Sequence, residues 1–297
     1  MLFDTDFLKR LEYLSLLSKR VFNGQLLALR RTKQTGGGVE FADHREYVYG
    51  DDLRYLDWNV YARHGDLLLK RFQEEEDLHV YILLDCSRSM DSQLTEPGLK
   101  VDKFVFARQI AAALAYIALA DLDRVSIVNY DASIRTTLPL MRGKNNILAL
   151  LRYLEKSSTS GASTNLATVA SDFARRAPRS GLVLVISDLF DQQGFRAGID
   201  VLRHRRFEPH VIQIYTPGEA KPDVLGDVEL HDVESDQVRK VTVTERKLKQ
   251  YEKQFQSFLD EIETYCLTYG LSYTRTTTDV PFDDVLLKMI RAAGAVA

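Results

Sequence analysis

The sequence predicts an α/β protein with a doubly wound, mostly parallel sheet of about six strands flanked by helices. The main observation is that, from residue 80 onward, short apolar runs alternate with longer stretches of helical character. The composition agrees with this, because 45% of the 297 residues are hydrophobic and 27% are charged, which excludes a disordered or collagen-like chain. Two cysteines are too few for a disulfide framework, which leaves the core to hold the fold together.

Apolar runs locate the strands. Residues 80–84 and 182–186 are continuously apolar, as expected of strands covered on both faces. Further strands are expected at residues 125–128, 134–138, 211–215 and 271–276. Residues 228–233 and 238–243 are typical of a β-hairpin inserted near residues 227–244, with its turn at Ser235 and Asp236.

The connections between the strands are predicted to be helices. Residues 104–119 are apolar nearly all round and too long for a strand, which indicates a buried helix. A long amphipathic helix is expected over residues 248–269, with Gly270 directly after it. Shorter helices are expected at residues 145–156, 165–177, 195–206 and 285–293. Strands that alternate with such helices imply right-handed βαβ units.

The first 79 residues have a different character. Residues 1–38 carry seven Lys or Arg against three Asp or Glu, and the spacing of Leu8, Leu11 and Leu14 predicts a helix that fades near residues 23–24. Three glycines at 36–38 are expected to form a flexible break. The predicted domains are residues 1–79, a basic arm and charged segment packing on the main domain, and residues 80–297, the α/β domain with its hairpin.

Charge and hydropathy exclude several classes of function. The net charge of −3 provides no global basic field for nucleic acid. The start of the chain lacks the basic and apolar regions of a signal peptide, and the longest apolar run, residues 110–120, is shorter than the roughly 20 residues of a membrane span. The sequence therefore predicts a cytoplasmic protein without a membrane span.

Polar side chains follow the two most apolar strands. Asp85, Ser87 and Ser89 come after the first, on one side of the loop by alternation, and Asp188 comes after the second. Thr164 lies in a loop between them in sequence, and ligands of such sheets bind beyond the carboxyl ends of the strands. These donors are all oxygens, which favours Mg²⁺, with Mn²⁺ or Ca²⁺ as alternatives. The same residue types also cap helices, but capping does not require hydroxyls at both position 87 and position 89 after a buried strand, so we favour metal binding.

The order Asp-x-Ser-x-Ser, then Thr, then Asp resembles the metal-ion-dependent adhesion site of von Willebrand factor A-like domains. By that resemblance, Ser87, Ser89 and Thr164 offer hydroxyls to the metal, while Asp85 and Asp188 act mostly through water. A coordination position would stay open for an Asp or Glu of a protein partner.

The charged segment before the first buried strand contains three notable stretches: Gly50-Asp51-Asp52-x-Arg54-x-x-Asp57-Trp58, Ala62-Arg63 and Phe72-x-Glu74-Glu75. These stretches resemble the signature of the bacterial DUF-58 family. The likeness covers about residues 20–290 and implies a von Willebrand A-like domain after such a segment, often associated with MoxR-type AAA+ ATPases.

This segment has two possible roles, a binding surface or a buried ion-pair cluster with a tryptophan plug, and we favour the buried cluster. A tryptophan beside alternating charges typically supplies anchoring area with a polar tip. The residues concerned are Asp51, Asp52, Arg54, Asp57, Trp58 and Arg63.

The sequence predicts a non-catalytic, divalent-metal-dependent protein-binding module, an accessory to a MoxR-type AAA+ ATPase in assembling or remodelling protein complexes. The first alternative is an Mg²⁺-dependent phosphatase with Asp85 as nucleophile. Such chemistry normally uses a second Asp two residues on as general acid, and position 87 is Ser. The second alternative is binding of an anionic surface or nucleic acid through the basic residues between positions 9 and 33.

Overall fold

The computed structural model describes residues 3–15, 35–73, 78–91, 102–160, 163–231 and 238–295. They fall into two compact units. The larger holds residues 3–15 and 78–292, and the smaller holds residues 35–73 and 293–295. The division of the chain into domains at residue 79 stays a prediction.

Strands and helices are numbered along the described parts of the chain. The strands are β1 Thr35–Glu46, β2 Leu68–Gln73, β3 His79–Asp85, β4 Arg124–Tyr130, β5 Ile134–Arg142, β6 Leu182–Ser187, β7 Glu208–Tyr215, β8 Gly226–His231, β9 Val238–Val243 and β10 Ser272–Thr277. The helices are α1 at residues 5–15, α2 Trp58–His64, α3 Lys103–Ala120, α4 Ile147–Lys156, α5 Leu166–Arg176, α6 Phe195–His204, α7 Pro217–Ala220, α8 Glu245–Thr268 and α9 Phe282–Ala295.

A six-stranded sheet in the order β10-β7-β6-β3-β4-β5 forms the centre of the larger unit, which confirms the predicted α/β fold. Its neighbouring strands are parallel except for β5, which runs antiparallel to β4. From β3 the chain first builds toward β4 and β5, and then returns to the other side of β3 to build β6, β7 and β10. The order of strands therefore switches direction between β3 and β6, where doubly wound sheets form their ligand crevice.

Alternate residues of β3 face two separate hydrophobic layers. Val80 and Ile82 pack with α1, α3, α4 and α9 on one face. Tyr81 and Leu83 pack with α5, α6 and α8 on the other face. Because both faces are covered, the central strands are apolar throughout, and this is why they could be located from the sequence.

Helix α3 is the apolar core helix expected from the sequence. It is long and apolar enough to cross a membrane by length and composition, and 67% of its 18 residues are buried inside the protein. Its hydrophobic residues contribute to the same layer as Val80 and Ile82. The predicted absence of a membrane span and the cytoplasmic location stay predictions.

The predicted hairpin insertion is present as the antiparallel pair β8–β9. Its predicted turn at Ser235 and Asp236 lies outside the described residues. Helix α8 follows the hairpin and ends where expected. Gly270 has a φ of 65°, a left-handed conformation that costs a glycine little, and the Leu271 N–H donates back to the Cys266 carbonyl at 2.8 Å.

The smaller unit is an antiparallel pair, β1–β2, with the short helix α2. The expectation of a flexible break at glycines 36–38 is wrong, because these residues lie within β1. The register nevertheless shifts there, since Thr35 and Glu40 both pair with Gln73. Glycines tolerate such an irregularity, so the residue type marks a distorted strand and not an end of structure.

Candidate metal centre

The loop after β3 presents one carboxylate and two hydroxyls on one side. The Ser87 N–H donates to Asp85 Oδ1 at 2.9 Å, and the Ser87 and Ser89 hydroxyl oxygens lie 3.0 Å apart. A single 3₁₀ turn, Arg88–Met90, holds this geometry, and Met90 is fully buried in the core. Cys86 points into the same core, so the alternation expected from the sequence is present.

The loop that carries Thr164 reaches the same place. The Ser160 N–H donates to the Cys86 carbonyl at 2.6 Å, which ties this loop to the end of β3. Thr164 Oγ1 lies 3.3 Å from each carboxylate oxygen of Asp85. Asn165, the next residue, caps α5 by accepting from the Thr168 N–H at 2.9 Å. Helix capping in this loop is therefore performed by Asn165, which leaves the Thr164 hydroxyl directed at Asp85.

The end of β6 supplies a second carboxylate and an additional hydroxyl. Ser187 Oγ donates to Asp85 Oδ2 at 2.6 Å and accepts from the Leu189 N–H at 2.9 Å. Asp188 Oδ1 accepts from the Phe190 N–H at 3.1 Å. Asp85, Ser87, Ser187 and Asp188 are all buried.

A buried lysine stands beside Asp188. Lys103 is the first residue of α3, and its side chain is 0% exposed. Its Nζ donates to Asp188 Oδ2 at 2.8 Å and to Glu219 Oε1 at 2.5 Å. Burial disfavours the charged ammonium, but the charges of Asp188 and Glu219 outweigh this effect and raise the pKa of Lys103 above its usual value.

The two aspartates have different electrostatic surroundings. Burial raises the pKa of Asp85 to about 7, and the nearby charge of Asp188 adds to the rise, whereas hydrogen bonds from Ser187 and Ser87 lower it. The hydrogen-bond donors to Asp85 described above are all neutral, while Asp188 has the Lys103 ammonium. Asp85 is therefore a buried acid whose negative charge lacks a direct cationic partner among the residues that the structure describes.

The donor set fits a small hard cation. Four hydroxyls and two carboxylates converge at the switch point of the sheet, and Mg²⁺ prefers oxygen ligands and needs few from the protein. Across the described ranges of the chain, three or more His, Cys, Asp or Glu side chains do not cluster as a metal site, so a cation here would depend on the hydroxyls as well as on the carboxylates. Asp85, Ser87, Ser89 and Thr164 would hold the cation, with Asp188 outside them.

The same geometry is poorly suited to nucleophilic catalysis by Asp85. This side chain is 0% exposed, and both carboxylate oxygens accept hydrogen bonds from neighbouring hydroxyls. A nucleophile needs an accessible oxygen directed at the substrate.

Three residues around the site were missed by reasoning from the sequence. Ser187 directly precedes Asp188, so its place at the end of a buried strand could have indicated it. Lys103 and Glu219 carried no such signal, because a lysine at a helix start and a glutamate in a short helix usually face solvent.

The charged segment of the smaller unit forms local ion pairs. Arg45 binds Asp51 through two nitrogens at 2.7 and 2.6 Å, and Arg54 pairs with Asp52. Asp57 caps α2 and contacts His44 Nε2 at 2.9 Å. The expectation of a buried cluster holds for Asp57 alone and is wrong for Trp58, which is 60% exposed, and for the exposed Asp52, Arg54 and Arg63.

Two cations of the predicted basic arm lie within the described residues. Lys9 and Arg10 lie on α1, where they pair with Asp6 and Asp283. The remaining cations of the arm lie outside the described residues: Lys19, Arg20, Arg30, Arg31 and Lys33.

Comparison with known proteins finds one matching family. The family described as "Protein of unknown function DUF58" matches residues 43–258. The chain is 26% identical over 210 residues to the uncharacterized proteins Mb1516 of Mycobacterium bovis and Rv1480 of Mycobacterium tuberculosis. Each alignment covers 70% of this chain and 65% of the relative, so the chain spans less than two thirds of the length of these proteins.

Solved structures that match the chain include the conserved hypothetical protein BatB from Bacteroides thetaiotaomicron, at 15% identity and a TM-score of 0.45. An aerotolerance-related membrane protein from Bacteroides fragilis is 16% identical, with a TM-score of 0.46. Each alignment covers 74% of this chain and all of the other.

Proposed function

Because this chain belongs to the DUF58 family and gathers oxygen donors from three loops at one sheet edge, we propose that it is a divalent-metal-dependent protein-binding module. The observation that carries the proposal is Asp85. It is a fully buried carboxylate that accepts hydrogen bonds from Thr164 and Ser187, and burial raises its pKa to about 7. A small divalent cation would supply the positive charge that these neutral donors do not.

Mg²⁺ is the ion that this site favours. Asp85, Ser87, Ser89 and Thr164 would hold it, and Asp188 would stand outside them because Lys103 and the Phe190 N–H already engage its two oxygens. Hydroxyl ligands leave the bound ion with net positive character. The ion then supplies an electrophilic position for a carboxylate.

The partner we propose is a protein that presents an Asp or Glu side chain to the bound ion. Following the resemblance of the charged segment to its family, a MoxR-type AAA+ ATPase is the leading candidate, and the module acts as a non-catalytic accessory in assembly or remodelling. The exposed ring of Trp58 and the ion pairs around it offer a second contact surface for the same class of partner.

Metal binding is tested first, with Mg²⁺ alone as the probe. Isothermal titration calorimetry of the chelator-treated full chain is expected to show saturable binding that Thr164→Ala removes or weakens strongly. The matched control is Ser171→Ala. This variant also loses one hydroxyl, but Ser171 lies exposed on α5. Absence of binding to the wild-type chain at millimolar Mg²⁺ would overturn the proposal.

Partner binding is tested second, in constant Mg²⁺ because an ATPase needs the ion itself. A purified MoxR-type ATPase is expected to bind the wild-type chain and Ser171→Ala equally and Thr164→Ala at least tenfold more weakly. Equal binding by all three would show that the metal edge does not contact this partner. Turnover of a phosphate ester that Asp85→Asn abolishes would favour the phosphatase alternative.

A further inference from the structure

Lys103 occupies a position that is unfavourable for a lysine on two counts. Its side chain is completely buried, which is rare for this residue type. It also lies in the first turn of α3, where the helix dipole is positive and disfavours a cation. The Asp188 and Glu219 carboxylates at 2.8 and 2.5 Å offset these costs.

Each of these contacts joins a different part of the chain to the candidate metal edge. Asp188 follows β6, and Glu219 lies in α7 after β7. Glu219 Oε2 also accepts from the Thr216 N–H at 2.7 Å, so Glu219 both caps α7 and pairs with Lys103. A capping role alone would not need the lysine.

The charged groups around Lys103 carry a net negative charge. Among the residues that the structure describes, Asp85 and Asp188 are buried acids, Glu219 is a partly buried acid, and Lys103 is the base that contacts two of them. When all four side chains are ionised, their net charge is −2, which one divalent ion neutralises. Without Lys103, the net charge of the three acids would be −3.

We propose that Lys103 is the resident cation of this site, which stabilises Asp188 and Glu219 in the metal-free protein and thereby lowers the affinity for the divalent ion. This inference rests on the proposed metal-binding function and deepens it. A charge fixed beside Asp188 repels an incoming cation, so the protein binds the metal conditionally and not permanently.

Lys103→Met tests the inference, because methionine has a similar length and no charge. In chelator, the variant is expected to unfold at a lower temperature than the wild-type chain, since the buried Asp188 and the partly buried Glu219 lose their counter-ion. Its Mg²⁺ affinity by calorimetry is expected to rise about tenfold. If Lys103 has only a structural role, its replacement would lower the melting temperature and leave the Mg²⁺ affinity equal or weaker. That result would overturn the proposal.

Glu219→Gln keeps the inference falsifiable if Lys103→Met does not fold. This change removes a negative charge, and Asp188 is then the remaining acid of the two that pair with Lys103. The Mg²⁺ affinity is therefore expected to fall about fivefold. The control is Thr216→Ala, which breaks the same capping box without changing charge and is expected to keep the affinity within twofold. Equal effects of the two variants would show that Glu219 acts only as a cap, and would overturn the proposal.

The outcomes separate this inference from the function on which it rests. If the wild-type chain binds no Mg²⁺ and Lys103→Met does, the proposed function fails for the natural chain while the role of Lys103 is supported. If neither binds, both fail. If both bind with equal affinity, the metal site stands and the inference about Lys103 fails.

Discussion

Thr164 Oγ1 lies 3.3 Å from both carboxylate oxygens of Asp85, although 79 residues separate the two in sequence. This contact joins the loop before α5 to the end of β3. Because Ser187 contacts Asp85 Oδ2 from the neighbouring strand, three separate segments meet at one carboxylate. The predictions below use this junction and the packing that supports it.

Replacing Thr164 by Ser is expected to retain Mg²⁺ binding, whereas Val is expected to weaken it at least tenfold, because only Ser keeps a hydroxyl at this place. Valine has nearly the same shape as threonine, so any loss reports the oxygen and not the volume. Calorimetric titration of both variants makes the comparison. Equal affinities would exclude the Thr164 hydroxyl as a ligand.

Ser187→Ala removes the shortest hydrogen bond to Asp85. Because that bond lowers the pKa of Asp85, its loss is expected to raise this pKa further above 7 and to make protons compete better with Mg²⁺. The apparent Mg²⁺ affinity should therefore fall about tenfold at pH 7 and recover in part at pH 8.5. A loss of the same size at both pH values would contradict this explanation.

The raised pKa of Asp85 makes the stability of the metal-free protein depend on pH. The folded chain binds a proton here that the unfolded chain releases above a pKa of 3.8, so this contribution is fully present below pH 4 and is lost as pH rises through about 7. In chelator, Asp85→Asn is expected to melt at nearly the same temperature as the wild-type chain at pH 4.5, and about 5 °C higher at pH 8. Thermal unfolding followed by circular dichroism measures both, and an equal difference at the two pH values would refute the argument.

Gly198 allows α5 and α6 to approach closely. A Cβ atom at this position would lie 2.5 Å from Leu166 Cγ and 2.8 Å from the Leu166 carbonyl carbon. Gly198→Ala is therefore expected to destabilise the protein by about 2 kcal/mol, because backbone atoms of Leu166 would have to move. Urea unfolding tests this, with Ala197→Ser, an exposed position on the same helix, expected to remain within about 0.5 kcal/mol of the wild type.

Asp57 caps helix α2 of the smaller unit and contacts His44. Its hydrogen bond to His44 is the main cause that lowers the pKa of Asp57 to about 2, so its stabilising charge is present above the unfolded value of 3.8 and is lost as pH falls through about 2. Asp57→Asn keeps a good helix cap and Asp57→Ala does not. Amide exchange of Asn59 and Val60 is expected to be fastest in Asp57→Ala at pH 7, and equal rates in both variants would contradict the capping role.

The sequence was informative where burial leaves a local pattern. Both β3 and β6 could be located because their residues are apolar throughout, and the acids at their ends followed from the topology of doubly wound sheets. Lys103 could not be recognised, because its partner Glu219 lies 116 residues away and nothing near a single lysine shows that it is buried. The exposure of Trp58 could not be predicted either, because tryptophan usually favours burial and its position in the structure is exposed.

Strand β10 lies at one edge of the sheet and is the last strand among the residues that the structure describes. Residues 210–215 of β7 have β10 as their outer partner through residues 272–277. During synthesis, the outer backbone groups of β7 therefore stay unpaired until residues 272–277 have left the ribosome. Chains truncated before residue 272 would present that open edge to one another, so premature termination should yield aggregates and not a smaller folded protein.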